Sequence, residues 1–187
     1  MRILVLGFSE GVDEAIRALV NMGHEVVLYV DKVTEHTREL QREVDIAVFE
    51  GNPLDIDRLR EAGIEKADAA IIAHPSDAVS VALCSIAKDF KVKYIIVLVH
   101  DKNVAKTISD LALAQRVVSL SELHGSTLVD IFVESVWALK RLNLGEYTVY
   151  IHRVSGDSRL INVKLGELAE EKWIRSVIVV KPDGSIV

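Results

Sequence analysis

Apolar and polar positions fall into a repeating two-part pattern over the first 120 residues. Six short apolar runs, at residues 2–6, 25–30, 45–49, 69–73, 94–99 and 116–119, recur at roughly 25-residue intervals. Most are nearly unbroken in Val, Ile, Leu and Ala, the composition of strands buried on both faces. Helical spacing fills the gaps. Val12, Ala15, Ile16, Leu19 and Val20 share one helical face ahead of Gly23, which stands where a C-terminal cap belongs. Leu40 and Val44 mark the inner side of a short charged helix within 32–44. Pro53, followed by Asp55 and Asp57, predicts a helix that begins at Pro53 and runs to Gly63. Ser76 or Asp77 caps another, with Val79, Leu83, Ile86 and Ala87 inward, and a further helix is predicted near 103–113. This order predicts an α/β fold, a Rossmann-like doubly wound parallel sheet over residues 1–120.

The pattern then changes. Leu128, Ile131, Phe132, Val136 and Leu139 form one helical stripe, and Val129, Val133 and Trp137 form a second. They predict a crossover helix over 121–143 that must be covered on two sides. Either both sides pack on its own domain, or the helix reaches a second copy of the chain and dimerises it. From 144 to 187 the alternation at 147–151, the runs 160–163 and 177–180, and turn residues Asp157 and Pro182-Asp183-Gly184 predict a small α+β module. At that length it completes itself with a partner or is cut short.

Composition narrows the function. Half of the 187 residues are hydrophobic, which suits a folded domain. A net charge of −6 without clustered Lys or Arg excludes a nucleic-acid binder. No apolar run approaches the ~20 residues of a membrane span, so no direct membrane insertion is expected. Glu10 and Asp13 interrupt the first run too early for a signal peptide. The single cysteine, Cys84, sits among apolar residues and reads as a core residue in a reducing cytosol. The histidines show no metal spacing, and no Ser-His-Asp or Cys-His set stands out.

The candidate chemistry lies in the loop after the first strand, Gly7-Phe8-Ser9-Glu10-Gly11-Val12. A dinucleotide loop needs glycine where it turns and where the backbone meets the pyrophosphate. Gly7 satisfies the first need; Ser9 and Val12 occupy the other two positions, and Gly11 stands one residue early. Glu10, Asp13 and Glu14 crowd the helix N-terminus with no cation before Arg17. Each clash with a phosphate charge at ~4 Å costs roughly 1 kcal/mol in water and nearer 4 kcal/mol at a partly buried surface. Alternatively, Asp13 and Glu14 face solvent and complement the helix dipole. Asp31, with Lys32 beside it, closes the second strand where a ribose-binding acid belongs, or is an exposed strand-end acid. Asn52, His74 and His100 follow the third, fourth and fifth strands on the same edge, where any crevice ligand would meet them or where they are solvated turn residues.

A longer pattern carries a resemblance. Glu50-Gly51-Asn52-Pro53, then Leu59-Arg60-Glu61-Ala62-Gly63-Ile64-Glu65-Lys66-Ala67-Asp68-Ala69, resembles the "G-D-A-T…L-x-E-A-G-I-E-x-A-D-A" run of TrkA-N domains. These are the ligand-sensing RCK (KTN) domains of potassium channels and transporters. The likeness continues to Ser121, and the stretch from Ile161 to Leu168 is similar to the start of a TrkA-C module. The resemblance implies a cytosolic regulatory subunit, a homodimer or higher ring built through the 121–143 helix and attached to a membrane channel or transporter subunit. It implies binding of NAD(H) or an adenine nucleotide (AMP, ADP or ATP) by Gly7, Phe8, Ser9, Glu10, Asp31, Lys32, Asn52, His74 and His100. Ser9 and Val12 replace glycines of the family pattern, Glu10 a common basic residue, and Asn52 an aspartate.

The expected function is therefore regulation of cation, foremost potassium, flux from the cytoplasmic face of the membrane, not catalysis. A degenerate subunit that binds no nucleotide is the alternative. A small NAD(P)-dependent oxidoreductase ranks last, because the short second module offers no substrate site.

Overall fold

The computed structural model describes the backbone of residues 1–9, 11–137, 139–144, 147–152, 161–164 and 166–167. The chain divides into two units, Met1–Leu128 and Val129–Val187, with the division inside one helix.

In the first unit six strands, β1 (Arg2–Leu6), β2 (Glu25–Val30), β3 (Ala47–Glu50), β4 (Ala69–Ile72), β5 (Tyr94–Val99) and β6 (Arg116–Ser119), form one parallel sheet in the order β3-β2-β1-β4-β5-β6. The order reverses between β1 and β4, which opens a crevice beyond their carboxyl ends. Successive side chains on each strand enter opposite layers. Leu4, Leu6, Ala70, Ile72, Val97 and Val99 pack with Leu59, Leu83 and Ile108 on one face. Ile3, Val5, Val26, Leu28 and Val30 pack with Val12, Ile16 and Leu40 on the other. The apolar runs are continuous because both faces are buried. Cys84 is fully buried in the first of these layers, and burial pushes its thiol up to about 12.

The helices α1 (Val12–Asn21), α2 (Glu35–Glu43), α3 (Ile56–Glu61), α4 (Asp77–Asp89) and α5 (Lys102–Asp110) fill the predicted intervals. Gly23, at φ 82°, ends α1: its N–H donates to the Val20 carbonyl and the His24 N–H to the Leu19 carbonyl, a Schellman cap. α3 begins three residues later than Pro53 predicts. The Asn52 side-chain and main-chain oxygens accept the Leu54 and Asp55 N–H groups, so 52–55 is a turn, and the Asp55 carboxylate caps the N–H groups of Asp57 and Arg58.

α6 (Leu120–Trp137) also departs from expectation. The helix ends at Trp137, and Leu139–Leu144 is a strand, β7, paired antiparallel with β8 (Tyr147–His152), not the last turns of a helix reaching Asn143. Leu142 and Leu144 alternate with polar neighbours at period 2, and only Gly145-Glu146 separates Leu144 from its partner Tyr147, the spacing of a two-residue hairpin. β8 agrees with its prediction. Within the run predicted as a strand at 160–163, Ile161 and Asn162 form a turn, with Asn162 at φ 62°. Leu160 and the run 177–180 lie outside the described residues.

Candidate functional site

The crevice is built around one glycine. Gly7 follows β1 at φ 90°, and a Cβ placed on it would lie 2.6 Å from the His74 Cα, 2.7 Å from the His74 nitrogen and 2.8 Å from the Ala73 oxygen. Its own N–H donates to the Tyr29 carbonyl on β2 at 2.9 Å, while the Ala73 N–H donates to the Leu6 carbonyl at 2.8 Å. The tips of β2 and β4 thus close on β1 from either side, and the absent side chain admits the backbone of His74.

That approach brings together two predicted residues from opposite sides of β1. Asp31 follows β2 directly and His74 lies two residues beyond β4; the His74 Nε2 lies 3.0 and 3.2 Å from the two carboxylate oxygens of Asp31. His74 is only 7% exposed, and its Nδ1 accepts the Ser76 N–H at 2.9 Å. The Asp31 carboxylate is more than half exposed and keeps lone pairs beyond its contact with His74. Lys32 is exposed beside it.

The loop has its own geometry. Gly11, one residue early for the usual pattern, is the N-cap of α1 in the left-handed region at φ 81°, with no side-chain cap and open space where a Cβ would stand. Val12, in place of the third glycine, is buried in the α1 layer. Phe8 packs edge-on against the His36 ring, with centroids 5.3 Å apart. Glu10 lies outside the described residues. The Ser9 hydroxyl is the one buried side-chain polar atom, among the described residues, with no hydrogen-bond partner.

Charge at the α1 N-terminus differs from the simple count of acids. Asp13 accepts from Arg17 at 2.9 Å and lies 3.3 Å from the His36 Nε2. The Arg17 guanidinium holds the Asp13 carboxyl below the usual carboxylate range, against a smaller opposing effect of burial. Arg17 also reaches Glu43 on α2 at 2.7 Å and Glu14 at 3.4 Å. Two acids that would repel a phosphate are therefore tied to a cation one turn down the helix. The i, i+4 spacing of Asp13 and Arg17 signals this pair in the sequence; His36 and Glu43 come from another helix and do not.

The remaining predicted residues separate. Asn52 spends its side-chain oxygen on the Leu54 N–H, and its carbonyl accepts the Tyr29 hydroxyl at 3.0 Å. His100 is exposed and held by Asp77: its N–H donates to one Asp77 carboxylate oxygen, the Asp101 N–H donates to the other, and the ring Nδ1 lies 3.2 Å from the first. Burial works against the Asp77 charge, but these donors outweigh it and the carboxyl stays below its ordinary value. Asp77 thus braces the β5 tip; Ser76 is the N-cap of α4 without a side-chain cap bond. His100 lines a cavity of about 280 Å³ with Leu120, Ser121 and His124. A second cavity of about 350 Å³ lies on the α1 face, where Val5, Ile71 and Leu98 of the sheet look out between Ala15 of α1 and Leu123 of α6. Among the described residues no cluster of acids, histidines and cysteines suits a metal ion, and no helix is long and apolar enough to cross a membrane.

The profile of the TrkA-N domain matches residues 3–120, nearly the whole six-stranded sheet and its helices. The chain belongs to the TrkA-N family. No curated protein matches the chain. Among solved structures, this TrkA-N chain is similar to the GsuK channel bound to NAD, at 25% identity and a TM-score of 0.59, over 68% of this chain and 23% of that one. It shares its fold with the TrkA-N domain of the inner membrane protein YbaL from Escherichia coli (18% identity, TM-score 0.60, 70% and 94% covered). The same holds for the Shewanella denitrificans Kef CTD in its AMP-bound form (16% identity, TM-score 0.60, 73% and 82% covered). The chain spans less than a quarter of the GsuK channel chain.

A nucleotide suits the residues at this TrkA-N crevice. The orphaned Ser9 hydroxyl is a buried donor that a phosphate oxygen would satisfy, relieving about 1–3 kcal/mol of unpaired burial. The α1 N-terminus has no side-chain cap, and the space over Gly11 is open. The exposed Asp31 carboxylate accepts hydrogen bonds from hydroxyls.

Proposed function

We propose that this chain is a cytosolic regulatory subunit of a potassium channel or transporter, and that its crevice senses NAD(H) or an adenine nucleotide. The observation that carries the reading is the Gly7–Asp31–His74 junction with the unpartnered Ser9 hydroxyl beside it. In this reading Gly7, Phe8, Ser9 and Glu10 surround the phosphates at the α1 N-terminus, and Asp31, with Lys32 beside it, takes the ribose. Asn52, His74 and His100 border the crevice. The ligand supplies binding energy, not chemistry; the chain is read as a sensor, not an enzyme. Support comes from NAD in the GsuK channel structure and AMP in the Kef one.

Transmission to a pore needs a second copy. Leu128, Val129 and Ile131 of α6 are exposed apolar residues, which favours a homodimer, or a higher ring, built through the helix of residues 121–143. A ligand that binds one hinge angle of such a dimer more tightly shifts its population, and a pore subunit at the cytoplasmic face of the membrane would feel the shift.

Calorimetric titration with AMP, ADP, ATP, NAD⁺ and NADH tests the reading. Micromolar binding of one of them, weakened by Asp31→Ala, is expected. Silence across all five refutes it and favours a structural subunit that binds no nucleotide, to which Ser9 and Val12 in place of glycines already point.

A further inference from the structure

We infer that His74 is a positioning residue that aims the Asp31 carboxylate and thereby sets a preference for nucleotides with a free ribose diol over those carrying a 2′-phosphate. The inference rests on the nucleotide-sensing reading of the same crevice. A strand-end acid that binds ribose is general to such sheets; the inference concerns the histidine that fixes the acid here.

The tautomer follows from the partners. A backbone N–H only donates, so the Ser76 N–H at 2.9 Å requires a lone pair on Nδ1. The neutral ring then carries its proton on Nε2, which donates between the two Asp31 oxygens at 3.0 and 3.2 Å. Ser76 is the N-cap of α4, so the ring is locked at one end to a helix start and at the other to the tip of β2. His74 is buried and its contact spans 43 residues of sequence, so the ring is part of the framework, whereas the half-exposed carboxylate is what it steers.

A carboxylate accepts about four hydrogen bonds, so the His74 contact leaves lone pairs for two ribose hydroxyls. A 2′-phosphate brings nearly two negative charges to the same place. It would meet Asp31 and, close by, Glu50, whose carboxylate is engaged with the Val33 N–H at 2.7 Å at the mouth of the same strand pair. Lys32 is the cation adjacent in sequence, and it is exposed. An Asp31 freed from His74 would swing on its two side-chain torsions and lose the alignment that separates the two ligand types.

Two substitutions divide the roles of the ring. His74→Gln retains an N–H donor as many bonds from the backbone as Nε2, and His74→Asn retains an acceptor in the place of Nδ1 but no donor toward Asp31. NADH and NADPH affinities, read by fluorescence titration of the whole chain, should give a wild-type preference for NADH. His74→Asn should weaken NADH by about tenfold and leave NADPH within about twofold, the loss of one well-aligned charge-assisted bond. His74→Gln should keep the preference. A purely structural histidine would instead lower both affinities together in both variants, which overturns the inference, as does an unchanged preference in His74→Asn. Long-range ¹⁵N spectra of the ligand-free protein give an independent reading, and an Nδ1–H tautomer overturns the inference whatever binds. Wild-type protein that binds neither dinucleotide overturns the selectivity, and the sensing reading falls with it only if AMP, ADP and ATP are silent too; tight NADH binding with no change in His74→Asn sinks the selectivity alone.

Discussion

Replacing Gly7 by alanine should be among the most damaging single-methyl changes in the chain. The new Cβ would stand 2.6 Å from the His74 Cα, where carbon atoms normally rest at about 3.5–4.0 Å. All three nearest atoms, on His74 and Ala73, are backbone, so no side chain can swing away. Relief requires prising β4 from β1, against the Ala73-to-Leu6 hydrogen bond, or shifting Gly7 itself, against its bond to Tyr29 on β2. A left-handed alanine costs about 1–2 kcal/mol by itself, and overpacking a rigid site adds about 1–3 kcal/mol. We expect a loss of roughly 2–5 kcal/mol, a large part of a typical domain's 5–15 kcal/mol. Gly11→Ala is the control: its φ is 81°, but nothing lies within 4 Å of the new atom, so only the conformational part, about 1–2 kcal/mol, should appear. Native-state hydrogen exchange of the β1 and β4 amides reports the opening of this unit without interference from the second. Equal losses at Gly7 and Gly11 would refute the close-approach argument.

The charge on Asp77 and the apolar residues of α6 give two further expectations. The Asp77 carboxyl titrates below its usual value in the folded chain, so its contribution is present above the unfolded pKa near ~3.9 and fades as pH falls through the lower folded value. Asp77→Asn should cost about 1.5–3 kcal/mol at neutral pH in urea unfolding, with the gap to wild type closing in acid; a gap independent of pH would contradict the assignment. Leu128 is 69% exposed on α6, and Leu128→Asp should halve the mass seen by light scattering if the helix joins two copies. An unchanged mass would remove α6 from the dimer argument.

Much of the fold was legible because its signals are local. β1, β2, β5 and β6 have the predicted bounds: an inner strand buried on both faces leaves an apolar run that stops where burial stops, and in the edge strand β6 polar Arg116 and Ser119 bracket two valines. The start of α3 was not, because Pro53 suits both a helix and the turn that Asn52 builds from its side chain. The end of α6 failed for a related reason: Leu139 fits a helical stripe as readily as the start of a strand, and the pairing with His152 that decides is 13 residues away. For the site, the position of Asp31 and His74 on one edge followed from the alternation of strands and helices. Their contact did not. It depends on β2 and β4 flanking β1, on the bare backbone of Gly7 between them, and on the Ser76 amide that orients the ring. The acids of the loop misled by proximity in sequence, since Asp13 is turned toward Arg17 and His36.

The buried thiol of Cys84 has a practical bearing on all of this. It is the single cysteine of the chain, sealed on the inner side of α4, the helix whose N-cap holds the His74 ring. A thiol so far from ionisation and from water does not react while α4 stays seated. Any modification by a thiol reagent under native conditions therefore counts the moments at which α4 lifts from the sheet. The chain carries its own clock for that motion, and a molecule that settles against the tips of β2 and β4 should slow it.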